Sequence, residues 1–86
     1  MAFRWLNKQG VESEDGFALQ SVGRFDWEYR ENGRVWKLDG ESIVGGNPGF
    51  AFNADWARTV PPADRDRIRQ NIKEAMRFMD LTAEFD

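Results

Sequence analysis

The groups in this 86-residue chain that could do chemistry are fifteen carboxylates, four helix-spaced cations near the C-terminus and one glycine-rich loop. Carboxylates perform glycosidase or nuclease chemistry only when two share a cleft or hold a metal. Asp39 and Glu41 are two apart and so on one side of a strand, but Gly40 between them marks a strand end. A chain this short rarely buries a carboxylate deeply enough to tune it, so structural and solubility roles take precedence. The loop "GGNPG" (residues 45 to 49) resembles a phosphate cradle, yet such a cradle needs a following helix and a Lys-Ser/Thr pair. Here Phe50 and Phe52 open an alternating stretch instead. Arg65, Arg69, Lys73 and Arg77 stand four apart, which aligns them along one side of a helix. Such a ridge suits phosphates or an acidic protein surface. Asp66, Gln70 and Glu74 flank it and dilute its field, so a solvated face is the simpler reading. Trp56 suits either a surface anchor for a partner or the core, and a small domain's need for apolar area favours the core.

Composition removes further chemistry. The chain has no cysteine and no histidine, which excludes disulfides, thiolate nucleophiles, Cys-ligated zinc and the commonest general base. Neither a catalytic residue, a metal site nor a cofactor site is expected. The net charge of −3 argues against a dedicated nucleic-acid binder, which is usually strongly basic. No apolar run approaches the roughly 18 residues of a membrane span. In "MAFRWLNKQG", Arg4, Asn7 and Lys8 interrupt the apolar stretch a signal peptide needs, which makes the cytoplasm the expected location.

The elements that must position these groups are well marked in the middle of the chain. Phe25, Trp27 and Tyr29 alternate with Asp26, Glu28 and Arg30, the period of a half-buried strand. Asn32-Gly33 then suits a type I′ turn, although a four-residue loop gives the same pairing. That pairing sets Tyr29 opposite Trp36, Trp27 opposite Leu38, Glu28 opposite Lys37 and Glu31 opposite Arg34. A slip of one residue would bring Lys37 onto the apolar face. Upstream, "FALQSV" (17 to 22) predicts a strand that sets Leu19 against Trp27 and Phe17 against Tyr29, unless Gly23 is a bulge in one long strand. The N-terminus is expected to make one or two helical turns ending at Gly10, followed by an acidic loop over residues 12 to 16. A short strand "SIV" follows Gly40, and "GFAFNA" forms another. An irregular stretch near Asp55 and Trp56 ends at Pro61-Pro62. Ile68, Ile72, Ala75, Met76 and Met79 then predict an amphipathic helix from Pro62 or Ala63 to Met79, and "LTAEF" a final strand. Residues 1–86 thus form one α+β domain: an antiparallel sheet of four to five strands with one long C-terminal helix packed on one face.

Three of these features together resemble a family of small bacterial immunity proteins from polymorphic-toxin systems, immunity protein 74. They are Tyr29, Arg30, Glu31, Gly33 and Arg34 of the hairpin, the Pro61-Pro62 pair, and Arg65, Ile68, Asn71, Ile72 and Phe78 of the helix. The likeness covers roughly residues 23 to 85. It departs where members carry a longer insert after Pro-Pro, since Pro62 here runs almost straight into the helix. The resemblance implies a non-catalytic protein that binds and neutralises a cognate toxin; such families differ in their toxins, and no contact residue carries over. The surface most open to a partner is the polar hairpin face with Glu28, Arg30 and Lys37, joined by the loop around Asn47 and Trp56. The alternatives are a small nucleic-acid-binding or regulatory domain using the helix ridge, and, lower, a carboxylate enzyme. The oligomeric state is left open.

Overall fold

A computed structural model describes residues 2–23, 26–43, 48–52, 56 and 58–85. Among these the chain forms β1 (Phe3–Asn7), β2 (Gly10–Ser13), β3 (Phe17–Ser21), β4 (Asp26–Glu31), β5 (Arg34–Asp39), β6 (Glu41–Ser42) and β7 (Gly49–Phe52). A 3-10 turn (Pro62–Asp64), the helix α1 (Arg65–Phe78) and β8 (Thr82–Phe85) complete it. The fold is α+β, with β1 to β5 making one antiparallel sheet in chain order.

The hairpin of β4 and β5 has the expected register: Tyr29 faces Trp36, Trp27 faces Leu38, Glu28 faces Lys37 and Glu31 faces Arg34. Asn32 and Gly33 have φ of 53° and 79°, so both central residues are left-handed and the turn is the two-residue type I′. Trp27, Tyr29 and Leu38 are buried on the face toward α1, while Asp26, Arg30, Val35 and Lys37 are exposed on the other.

The helix also lies where its apolar stripe requires, with Ile68, Ile72, Ala75 and Met76 fully buried. Pro62 opens the preceding 3-10 turn, where a missing N–H costs nothing. At the other end Asp80 adopts φ 62°, and Leu81 N donates to Met76 O at 2.8 Å while Asp80 N donates to Arg77 O at 3.0 Å. This pair of bonds is a Schellman closure, made by Asp where Gly is usual.

Four expectations are corrected. The N-terminus is a strand, β1, paired with β2 through Phe3↔Ser13 and Trp5↔Val11; no helix forms there. A short helix must nucleate on its own, whereas an edge strand borrows its hydrogen bonds from β2. Glu12 and Ser13 accordingly belong to β2 rather than to a loop. Between β3 and β4 the register is two residues from the expected one, Leu19↔Tyr29 and Phe17↔Glu31, because the two strands close one residue later, where Val22 N donates to Asp26 O at 3.0 Å. A slip of two keeps every side chain on its face, so the core is unchanged. Phe25 and Arg24 lie outside the described residues. Finally, β6, β7 and β8 form a second sheet instead of extending the first, with β7 antiparallel to β6 and parallel to β8. A parallel pair needs a crossover, and α1 supplies it.

The core lies between α1, the inner face of the first sheet and the second sheet. Phe52 stacks on Phe85 with ring centres 4.8 Å apart, and Trp56 meets Phe85 edge-on at 5.0 Å. Gly40 stands where the two sheets meet: a Cβ there would lie 2.9 Å from the Phe52 ring and 3.2 Å from Trp27. No helix of the described residues is long and apolar enough to cross a membrane.

Candidate partner-binding face

The outer face of the five-stranded sheet is assembled by strand alternation. One rung runs Arg4, Glu12, Ala18, Arg30 and Val35; the next runs Gly10, Gln20, Glu28 and Lys37; the last pairs Asp26 with Asp39. Glu28, Arg30 and Lys37 are therefore brought together as the sequence predicts. Glu28 ion-pairs with Arg30 along its own strand at 3.8 Å, and Lys37 stands opposite it in the ladder. Val35, on the edge strand β5 of this surface, is 52% exposed. A shallow depression beside the turn, lined by Glu12, Ala18, Arg30, Asn32 and Val35, gives the face relief.

The charges on this face nearly balance, three cations (Arg4, Arg30, Lys37) against four anions (Glu12, Asp26, Glu28, Asp39). A polyanion gains from uniform positive charge, whereas mixed signs in fixed positions suit a protein surface of complementary pattern. Asp26 and Asp39 are directly opposite and both exposed, an arrangement unfavourable on its own that a cationic group on a partner would relieve.

The other two candidates do not join this surface. Trp56 is only 4% exposed and sits against Phe52 and Phe85 in the core, on the far side of the sheet. Its role is core lining. Asn47 lies outside the described residues.

The helix ridge is largely occupied within the chain. Arg65 Nε donates to Val60 O at 3.3 Å, Arg69 pairs with Asp66 at 2.8 Å, and Arg77 approaches Glu74 at 3.8 Å. Arg69 and Lys73 also lie 5.8 Å over the Phe85 ring, covering the aromatic edge of the second sheet.

What holds the face rigid is a polar clasp behind it. Asn71 Nδ2 donates to the buried Tyr29 hydroxyl at 2.9 Å, and the hydroxyl donates to Glu31 Oε2 at 3.0 Å. Arg67 then bridges Glu31 at 2.5 Å and Asp64 at 2.8 Å, tying the hairpin to the start of α1. Burial is the main cause that pushes the Tyr29 hydroxyl far above the ordinary tyrosine range; Asn71 opposes the shift and Glu31 adds to it. The hydrogen bond that Arg67 donates to Glu31, followed by the one it donates to Asp64, raises the guanidinium and keeps it charged. The Tyr29 hydroxyl thus links the helix to the hairpin, accepting from Asn71 and donating to Glu31.

Sequence reasoning missed this clasp, although a signal was present. Asn71 interrupts the buried stripe between Ile68 and Ile72, and a polar residue there requires a partner. Trp27 Nε1 is buried and finds no acceptor among the described residues. No three acidic side chains converge as a metal cage among the described residues. Comparison with known protein families, with curated proteins and with solved structures finds no match.

Proposed function

We propose that this protein is an immunity protein: a non-catalytic binder that neutralises a cognate toxin of a bacterial competition system in the cytoplasm. The observation that carries the reading is the outer face of the hairpin, where Glu28, Arg30 and Lys37 stand in fixed register on a mixed-charge surface that no other described element covers. The same hairpin bears the Tyr-Arg-Glu-Asn-Gly-Arg stretch on which the family resemblance rests. A binder of this kind needs a rigid scaffold and a patterned surface, and no reactive group.

Co-expression with the toxin domain encoded beside it tests the proposal. Cells are rescued from that toxin and not from unrelated ones, and protection saturates near one immunity protein per toxin. Protection at far less than one equivalent would mean that the protein modifies or destroys something, and the binding reading would fall.

A further inference from the structure

The first sheet ends at β1, and two independent features coincide on that edge. The first is backbone polarity. Glu14 N donates to Ala2 O at 3.0 Å, and hydrogen-bonded pairs alternate along an antiparallel ladder. Arg4↔Glu12 is therefore also a bonded pair, and the N–H and C=O of Phe3 and Trp5 point away from β2. The β2–β3 ladder agrees: Ser21 N donates to Gln9 O, so Val11 turns its groups toward β3 and away from Trp5. The second feature is an aromatic ledge beside the same edge. Trp5 is 52% and Phe78 42% exposed, with ring centres 5.9 Å apart, and Phe3 lies 5.5 Å from Phe78. Natural edges are usually blunted by a bulge or charge, and the register shift between Trp5 and Asn7 is such a bulge. It protects only the end of β1, and among the described residues no strand pairs with the outer side of Phe3 to Trp5.

A second copy of this chain fits the edge poorly. The two-fold register that uses the outward groups of both Phe3 and Trp5 sets Arg4 directly against its own copy, a like-charge pair. Shifting the dyad to Trp5 leaves one bonded pair, because Asn7 beyond the bulge turns back to Gly10 of β2.

The geometry points to an extended segment of a different protein, added as a sixth strand on β1, with an acidic residue opposite Arg4 and apolar residues on either side of it. The acid would share a guanidinium that pairs with Glu12 yet remains 81% exposed. The apolar neighbours would lie opposite Phe3 and Trp5 on the ledge, as in other strand-addition complexes. This edge lies across the sheet from the β4–β5 hairpin, shares only Arg4 with the outer face, and does not depend on the partner being a toxin.

The test uses the full chain and three capped synthetic peptides: Thr-Val-Glu-Val-Thr, the same peptide with Lys at its centre, and the Glu peptide N-methylated on both Val. The Glu peptide is expected to bind saturably, slowing amide hydrogen exchange at Phe3 and Trp5 and changing Trp5 fluorescence. The Lys peptide binds at least about threefold more weakly, as opposed cross-strand charges predict, and the N-methylated one loses the exchange protection. Arg4→Glu, at an exposed position, reverses the preference to the Lys peptide. Equal binding of all three peptides, or no protection at Phe3 and Trp5, overturns the proposal. So does a concentration-dependent dimer in which those two amides are already protected without peptide. Toxin rescue that survives loss of peptide binding separates the failure of this inference from that of the immunity reading.

Discussion

The two faces of the five-stranded sheet are built from the same strands by the same alternation, yet they obey different rules. The inner face carries Val11, Leu19, Trp27, Tyr29 and Leu38, each at most 2% exposed and each held by α1 or the second sheet. The outer face carries Arg30, Val35, Lys37 and Asp39 in the open. Packing selects residue type on the inner face, because any change of volume leaves a void or a clash. On the outer face only the register is constrained. A protein can therefore vary its recognition chemistry on one side without disturbing the core a single layer away.

The largest effect that sharpens this contrast is on the inner face. Trp27→Ala should destabilise the protein by about 3–5 kcal/mol in chemical denaturation, as large aromatic truncations in a core do. A loss below about 1 kcal/mol would place the ring outside the core.

Next is the clasp between the two layers. Tyr29→Phe should cost about 1–2 kcal/mol, since it leaves Asn71 and Glu31 each short of a partner. Tyr29 is the only tyrosine, so ultraviolet absorbance follows its ionisation alone. Its folded-state value is raised above the usual 10.0, so its stabilising contribution is complete below that pH and is lost as pH climbs above it. Alkaline titration should show Tyr29 ionising together with unfolding, and Tyr29→Phe should remove that part of the alkaline loss. Ionisation near pH 10 in the folded protein would contradict the buried, hydrogen-bonded hydroxyl.

A smaller change is expected from Arg67→Gln, about 0.5–1 kcal/mol, because the bridge to Glu31 is half exposed and screened by solvent. High salt should shrink the difference between the two proteins. No change with salt would mean that packing of the arginine stem, rather than charge, carries the effect.

The smallest effects on stability belong to the outer face. Glu28→Lys, Arg30→Glu and Lys37→Glu should each stay within about 0.5 kcal/mol. If this is the surface that meets a toxin, the same three changes should slow association and alter its salt dependence, as rim charges act mainly on the on-rate. A charge reversal that unfolds the protein would break the contrast between the faces.

Residue types and spacing were enough for everything local. Asn32-Gly33 supplies two left-handed residues and Trp27, Tyr29, Trp36 and Leu38 alternate around it, so the hairpin register follows from turn chemistry and pattern. Ile68, Ile72, Ala75 and Met76 place α1 and its buried side, and the polar residues between the hairpin rings define the outer face. Tertiary structure decided what depends on distant partners. Phe3 and Trp5 span too few alternations to announce a strand, and β1 exists because β2 offers a ladder. Gly23 suits either a turn or a bulge and fixes no register, and the β3–β4 pairing settled two residues from its simplest setting. The parallel pairing of β7 with β8 requires α1 to carry the chain back across the molecule. Trp56 is drawn into the core only because Phe52 and Phe85, 33 positions apart in sequence, meet there. Glu31 is a cross-strand partner of Arg34 by register, yet its side chain answers to Arg67, 36 residues away. Local turn chemistry is written in adjacent residues, whereas an edge strand, a crossover and a clasp are choices among distant partners that only the folded chain brings together.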